Sequence, residues 1–204
     1  MTDGTTAPGG VLDERGVLQE YLHHARRSLV WKLDGLSERD ARRPLTPTGT
    51  NLLGLVKHCA GVEIGYFGEV FGRRWPGPEL PWLADDAPAN ADMWADVDES
   101  LESVLGLYRD VWEFADELVG TAPLDTVGRV PWWSAARGSV TLRHVVVHVA
   151  TEVSRHAGHA DIVRELVDGA AGLRPGALNL PDQDADEWTR YVAHLQQVAD
   201  SFAS

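Results

Sequence analysis

Apolar residues recur at helical spacing along most of this chain. Val17, Leu18, Leu22, Ala25, Leu29 and Leu33 are one, three or four positions apart, which predicts a helix over about 13–36. His23 and His24 lie beside Arg26 and Arg27 and read as surface residues. A second helix is predicted from Thr50 or Asn51, both good N-caps, to about residue 71. A third, over about 98–118, carries Leu101, Val104, Leu105, Tyr108, Val111, Trp112 and Phe114. A fourth, over about 141–167, closes at Asp168-Gly169, where glycine suits the left-handed position after a helix. A last helix is predicted over about 184–202.

The intervals break that period. Residues 73–93 hold Pro76, Pro78, Pro81 and Pro88 with Trp75 and Trp82. Proline fixes φ and removes a donor, so the stretch reads as a loop. Its length suits a lid or binding loop, or tryptophans that cover the core edge. Residues 121–138 read as an irregular connection or a short hairpin. No strand alternation of useful length and no internal repeat is visible. The expectation is an all-α fold: a four-helix bundle with long loops and an additional C-terminal helix. Residues 1–11 read as a disordered tail and 12–204 as a single domain.

Charge narrows the partners. With 18 Lys+Arg against 31 Asp+Glu the net charge is −13, which repels phosphate backbones and disfavours nucleic-acid binding. No apolar run approaches the roughly 18–20 residues a membrane span needs. The first ten residues lack a basic start followed by an apolar stretch, so the expected location is the cytoplasm. The one cysteine, Cys59, excludes an internal disulfide and a multi-cysteine zinc cluster. It reads as a small buried helix residue. Any metal would be held mainly by histidine and carboxylate.

Those residue types are concentrated in two places. On the fourth helix Leu142, Val146, Val149, Val153, Ala157 and Ala160 form an apolar stripe, with Arg143, Ser154, Gly158, Asp161 and Glu165 opposite. His148, Glu152, His156 and His159 fall on a strip roughly 80° wide beside that stripe, together with Val145, Val163 and Leu166. These polar groups are therefore expected to turn toward the bundle interior, where an unpaired one costs several kcal/mol. On the second helix His58 shares an apolar face with Leu55, Cys59, Val62 and Tyr66. A metal ion would satisfy several of these groups at once. Glu152 and His156 are four apart and project from adjacent turns. His58, Glu152 and His156 could surround one ion and leave a position open, the pattern of a catalytic rather than a structural site. A lone buried histidine is more often a satisfied core residue. Geometry alone leaves open which groups would ligate, because His148 and His159 fit nearly as well.

At these residues the chain resembles the DinB-like superfamily of metal-binding four-helix bundles. The run Arg155-His-Ala-Gly-His-Ala-Asp-Ile-Val-Arg-Glu165-Leu-Val-Asp-Gly169 and the run Leu53-Gly-Leu-Val-Lys-His58 are similar to a branch common in actinobacteria. That branch resembles the mycothiol-dependent enzymes, including maleylpyruvate isomerase and mycothiol S-transferases. The resemblance covers about residues 12–170. It implies a divalent metal, zinc or nickel, held by His58, Glu152 and His156. The middle ligand is histidine in many DinB-like proteins, and the glutamate here points to the mycothiol-dependent branch. His148 and His159 become supporting groups, His159 as a hydrogen-bond partner of the ligands.

The implied activity is a thiol S-transferase. The metal would deprotonate a low-molecular-weight, mycothiol-like thiol, which would attack a small electrophile near the Pro/Trp loop. Arg73, Arg74 or Arg137 could steer an anionic substrate. Alternatives are a hydrolase using metal-bound hydroxide with His148 or His159 as base, and a non-catalytic metal-binding bundle. A homodimer through the outer face that carries Gly158 is a further expectation.

Overall fold

A computed structural model describes residues 10–203. The expected tail falls largely on residues 1–9, outside the described residues. Six α-helices follow one another: α1 (Glu14–Trp31), α2 (Glu38–Arg42), α3 (Leu52–Phe67), α4 (Leu101–Thr121), α5 (Leu142–Asp168) and α6 (Ala185–Asp200). Between α4 and α5 lies a two-stranded antiparallel hairpin, β1 (Val127–Arg129) and β2 (Ser139–Thr141), with Gly128 opposite Val140. The fold is all-α as expected, with an additional C-terminal helix.

Each long helix starts on a side chain that accepts from an otherwise unpaired backbone N–H. Asp13 accepts from Gly16, Asn51 from Gly54, Ser100 from Ser103, Thr141 from His144 and Asp184 from Glu187. Gly169, at φ 77°, closes α5 in the left-handed conformation the sequence implies.

Helices α1, α3, α4 and α5 form the bundle, and α1 and α3 each lie against both α4 and α5. Side-chain pairs fix their directions. Lys57, early in α3, reaches Glu99 just before α4, and Arg73, just past α3, donates to the Phe114 carbonyl late in α4. Thus α3 and α4 run the same way. Glu14 meets Arg143, and Lys32 meets Asp161, so α1 and α5 also run together. His58 lies against His156 and Tyr66 against His148, so α3 and α5 are antiparallel. Two parallel neighbours need a long return connection, and the proline-rich stretch between α3 and α4 supplies it. The core is aliphatic, built on Leu22, Leu29, Leu53, Val56, Val111, Val146, Val149 and Val153 with Phe67 and Tyr108.

Several boundaries differ from the sequence expectation. The first helix stops at Trp31 rather than near residue 36, in a turn that ends at Gly35 (φ 73°). The second stops at Phe67, and Glu69–Phe71 forms a separate 3-10 turn. The third is shifted three residues along because Ser100 is its cap. Helix α2 was not expected; Ser37 caps it through Asp40 N. Of the two readings of residues 121–138, the short hairpin is the one that forms, with its second strand just beyond them.

His23 and His24 are half-buried rather than on the surface. His23 bonds Asp116 at 2.7 Å, and the adjacent Arg26 is fully buried in an ion pair with Glu63. Helix α6 has no buried residue. Among the described residues no helix is long and apolar enough to cross a membrane.

Candidate metal centre

The Asn51 cap sets the start of α3, and His58 follows nearly two turns later on the face turned to α5. Helix α5 carries Glu152 and His156 one turn apart on the face turned back to α3. Together His58, Glu152 and His156 offer one ligand atom each, all within 4.8 Å of one another. The His58 and His156 rings meet edge to face at 4.7 Å between centroids, and His156 Nε2 lies 3.2 Å from Glu152 Oε1. Side-chain exposure rises from 11% at His156 through 21% at His58 to 34% at Glu152, so the cluster opens to solvent on the Glu152 side.

The donor set suits a divalent ion. Burial, then the neighbouring His58, lower the His156 pKa against the pull of Glu152, which keeps this imidazole neutral and free to donate a lone pair. Two nitrogens and one carboxylate oxygen are ordinary zinc ligands, and a spacing of 4.8 Å is only slightly beyond twice a bond length of about 2.0–2.2 Å. His156 Nδ1 is buried without a hydrogen-bond partner. Leaving such a group unpaired costs about 1–3 kcal/mol.

Asp92, in the α3–α4 connection, lies with Oδ2 2.6 Å from His58 Nδ1. Sequence reasoning missed it, since one aspartate among many in a loop carries no periodic signal.

An aromatic wall extends from the cluster along α3. Tyr66 packs on His148 at 4.7 Å and on Trp132 at 5.2 Å, and Trp133 packs on His148 at 5.2 Å. Gly61 and Gly65 give two rings their seats: a Cβ at Gly61 would stand 3.0 Å from Trp82, and one at Gly65 would stand 3.1 Å from Trp132. Burial lowers the His148 pKa, with Glu152 opposing, so this half-buried imidazole is neutral at pH 7. The two tryptophans of the proline-rich stretch pack in different places. Trp82 lies over α3 one turn beyond His58, while Trp75 packs on Phe114 at 5.4 Å and covers the core edge.

The remaining expected groups are placed less centrally. His159 is exposed rather than turned inward, with its ring 5.3 Å from that of His156. It shares the angular position of His148 to within about 20°, but Tyr66 and Trp133 pack on the level of His148, three turns away. Leu166 is likewise 59% exposed. Arg73 is held by the Phe114 carbonyl and Glu117, and Arg74 lines a separate cavity with Trp75. Arg137 stacks over Trp133 at 5.6 Å, which puts it beside the aromatic wall.

Behind the cluster lies a buried charged network, also missed from the sequence. Arg26 donates from Nε to Glu63 Oε1 at 3.0 Å and from a second nitrogen to Oε2, and Tyr108 donates to Oε1 at 3.0 Å. Arg26 also reaches Asp116 Oδ1 at 2.7 Å. Burial pushes the Glu63 pKa up, against the pull of Arg26 and Tyr108. The ionised pair prevails, because both oxygens already face donors, Arg26 twice and Tyr108 once, and a carboxyl proton would meet them instead of an acceptor. The network joins α1, α3 and α4, and so fixes the helix that carries His58.

Comparison with known proteins bears on the fold and the family. A crystal structure of a conserved protein from Enterococcus faecalis is similar in fold, with a TM-score of 0.56 and 16% identity over 78% of this chain and 100% of that one. None of the curated proteins compared with the chain matches it. The family model for mycothiol-S-transferase matches residues 17–169, which span all four bundle helices except the start of α1, and both candidate-ligand helices. The chain belongs to the mycothiol-S-transferase family, within the DinB-like superfamily.

Proposed function

We propose that this protein is a divalent-metal-dependent thiol S-transferase. It would use His58, Glu152 and His156 as ligands, zinc as the first choice of metal and nickel as the second, and work in the cytoplasm. The observation that carries the proposal is the convergence of three ligand atoms from α3 and α5 within 4.8 Å, on an open edge of the bundle. A bound divalent ion supplies a Lewis acid that lowers the pKa of a coordinated thiol so that the thiolate forms at neutral pH. The family match supports a thiol substrate of the mycothiol class.

The chain's own residues supply the rest. Glu152 and the two imidazoles hold the site, and its exposure on the Glu152 side gives the thiol its approach. Neutral His148, one turn from Glu152, is suited to accept the thiol proton. Tyr66, Trp132 and Trp133 form an apolar wall that would exclude water from one side and stack on an electrophile. Arg137 beside Trp133 would draw an anionic group to that wall. In this role the electrophile is small, with an apolar or aromatic body that can carry an anionic group.

A second activity, hydrolysis, is favoured by the same neutral His148, which could equally take a proton from water. Incubation of the zinc-loaded protein with a thiol and a panel of alkylating electrophiles separates the two. Metal-dependent loss of free thiol with formation of a thioether supports the transferase. Turnover without thiol supports the hydrolase, and no turnover of any electrophile would sink the transferase.

A further inference from the structure

We infer that Asp92 is a positioning residue for the metal centre, acting through His58. This rests on the metal assignment proposed above. Asp92 Oδ2 lies 2.6 Å from His58 Nδ1, a short charge-assisted contact. With Nδ1–H donating to the carboxylate, the lone pair of the ring sits on Nε2. The contact therefore fixes both the tautomer and the orientation of the ring. Metal-ligating histidines almost always have such a partner for their other nitrogen.

The way Asp92 is held separates it from a casual surface pair. It belongs to a ledge pinned to α3 at the two residues that follow it. Met93 N donates to Asn90 O at 2.8 Å in a turn where Asn90 has φ 59°. The Met93 carbonyl accepts from Asn51 Nδ2 at 3.1 Å, and the Trp94 carbonyl accepts from Lys57 Nζ at 2.9 Å. Arg42 then holds the carbonyls of Ala95 and Glu99 at 2.9 and 2.6 Å. The approach is so close that a Cβ at Gly54 would stand 1.8 Å from the Met93 oxygen. Ala91 is buried, whereas the Asp92 side chain remains 31% exposed. The ledge therefore delivers one carboxylate, at a fixed height, to one nitrogen of one candidate ligand. His156 has no equivalent, since its Nδ1 is buried without a partner. Asp92 thus orients His58 alone of the two imidazoles.

The test uses the full chain, stripped of metal and titrated with Zn²⁺ against a competing chelator. Asp92→Asn and Asp92→Leu are compared with the unaltered protein, and Asp92→Glu serves as the conservative rescue. Zinc affinity should fall about 10–100-fold in Asp92→Leu, less in Asp92→Asn, and recover in part in Asp92→Glu. Nitrogen-15 spectra of the metal-free protein should show His58 as the Nδ1–H tautomer, shifting toward Nε2–H in Asp92→Leu. A merely structural role for Asp92 would lower the melting temperature without moving the tautomer. Tight zinc binding by the unaltered protein with equal affinity in all three variants overturns the role of Asp92 alone. Absence of zinc binding in the unaltered protein overturns the metal assignment beneath it.

Discussion

Replacing Glu63 by glutamine tests whether the buried ion pair holds α3 in place. Arg26 and Glu63 are both 0% exposed. Glutamine keeps the volume but removes the charge. It also offers one oxygen where Arg26 now finds two, and turns an N–H toward the guanidinium. Asp116, whose side chain is 31% exposed, would be the anionic partner left to Arg26. Removing one partner of a buried pair costs about 3–5 kcal/mol, a large part of a total stability of about 5–15 kcal/mol. At roughly 2–4 °C per kcal/mol for a chain of this size, the melting temperature should fall by roughly 6–20 °C. Urea unfolding followed by tryptophan fluorescence and by far-ultraviolet circular dichroism measures the loss. The double variant Arg26→Met/Glu63→Leu leaves no orphan charge and should recover most of it. A Glu63→Gln cost below about 1 kcal/mol would refute the reasoning, because a buried charge would then have lost its partner almost freely. A double variant as unstable as the single one would place the cost in packing instead.

Gly54→Ala should cost about 1–3 kcal/mol, since its Cβ would meet the Met93 carbonyl at 1.8 Å and something must shift. The shift displaces the ledge that bears Asp92, so zinc affinity should fall along with the melting temperature; isothermal titration and thermal melts measure both. The His156 pKa lies below its ordinary value of 6.5 through burial and the neighbouring His58. The unfolded chain therefore binds the more protons between the two values, and stability rises with pH there. In the metal-free protein this contribution is fully present above about 6.5 and is lost as pH falls toward the folded value. His156→Gln should flatten that part of the curve in a series of urea titrations, and an unchanged slope would contradict the assignment.

The bundle was legible because a helix repeats. Stripes such as Leu142, Val146, Val149 and Val153 recur every three or four residues, and all four are buried. The N-cap at Asn51 and the glycine after Asp168 were legible because caps are local chemistry. What escaped depends on contacts between distant segments. The burial of Arg26 depends on Glu63, 37 positions away. Asp92 has meaning only through a ledge pinned by Asn51, Lys57 and Arg42. His148 and His159 share one helical angle, but Trp133 and Tyr66 cover only His148. No periodicity encodes which level of a helix a loop will cover. Helical geometry could offer five candidate groups. The model brings together the three that the family resemblance implied, within 4.8 Å.

The central claim is that His58, Glu152 and His156 hold one divalent ion. Elemental analysis of the purified protein, followed by zinc titration of the stripped form, tests it most directly beside His58→Ala, Glu152→Ala and His156→Ala. The account expects one equivalent of metal per chain in the unaltered protein and a loss of affinity of at least 100-fold in each variant. Undiminished metal in all three variants would contradict it.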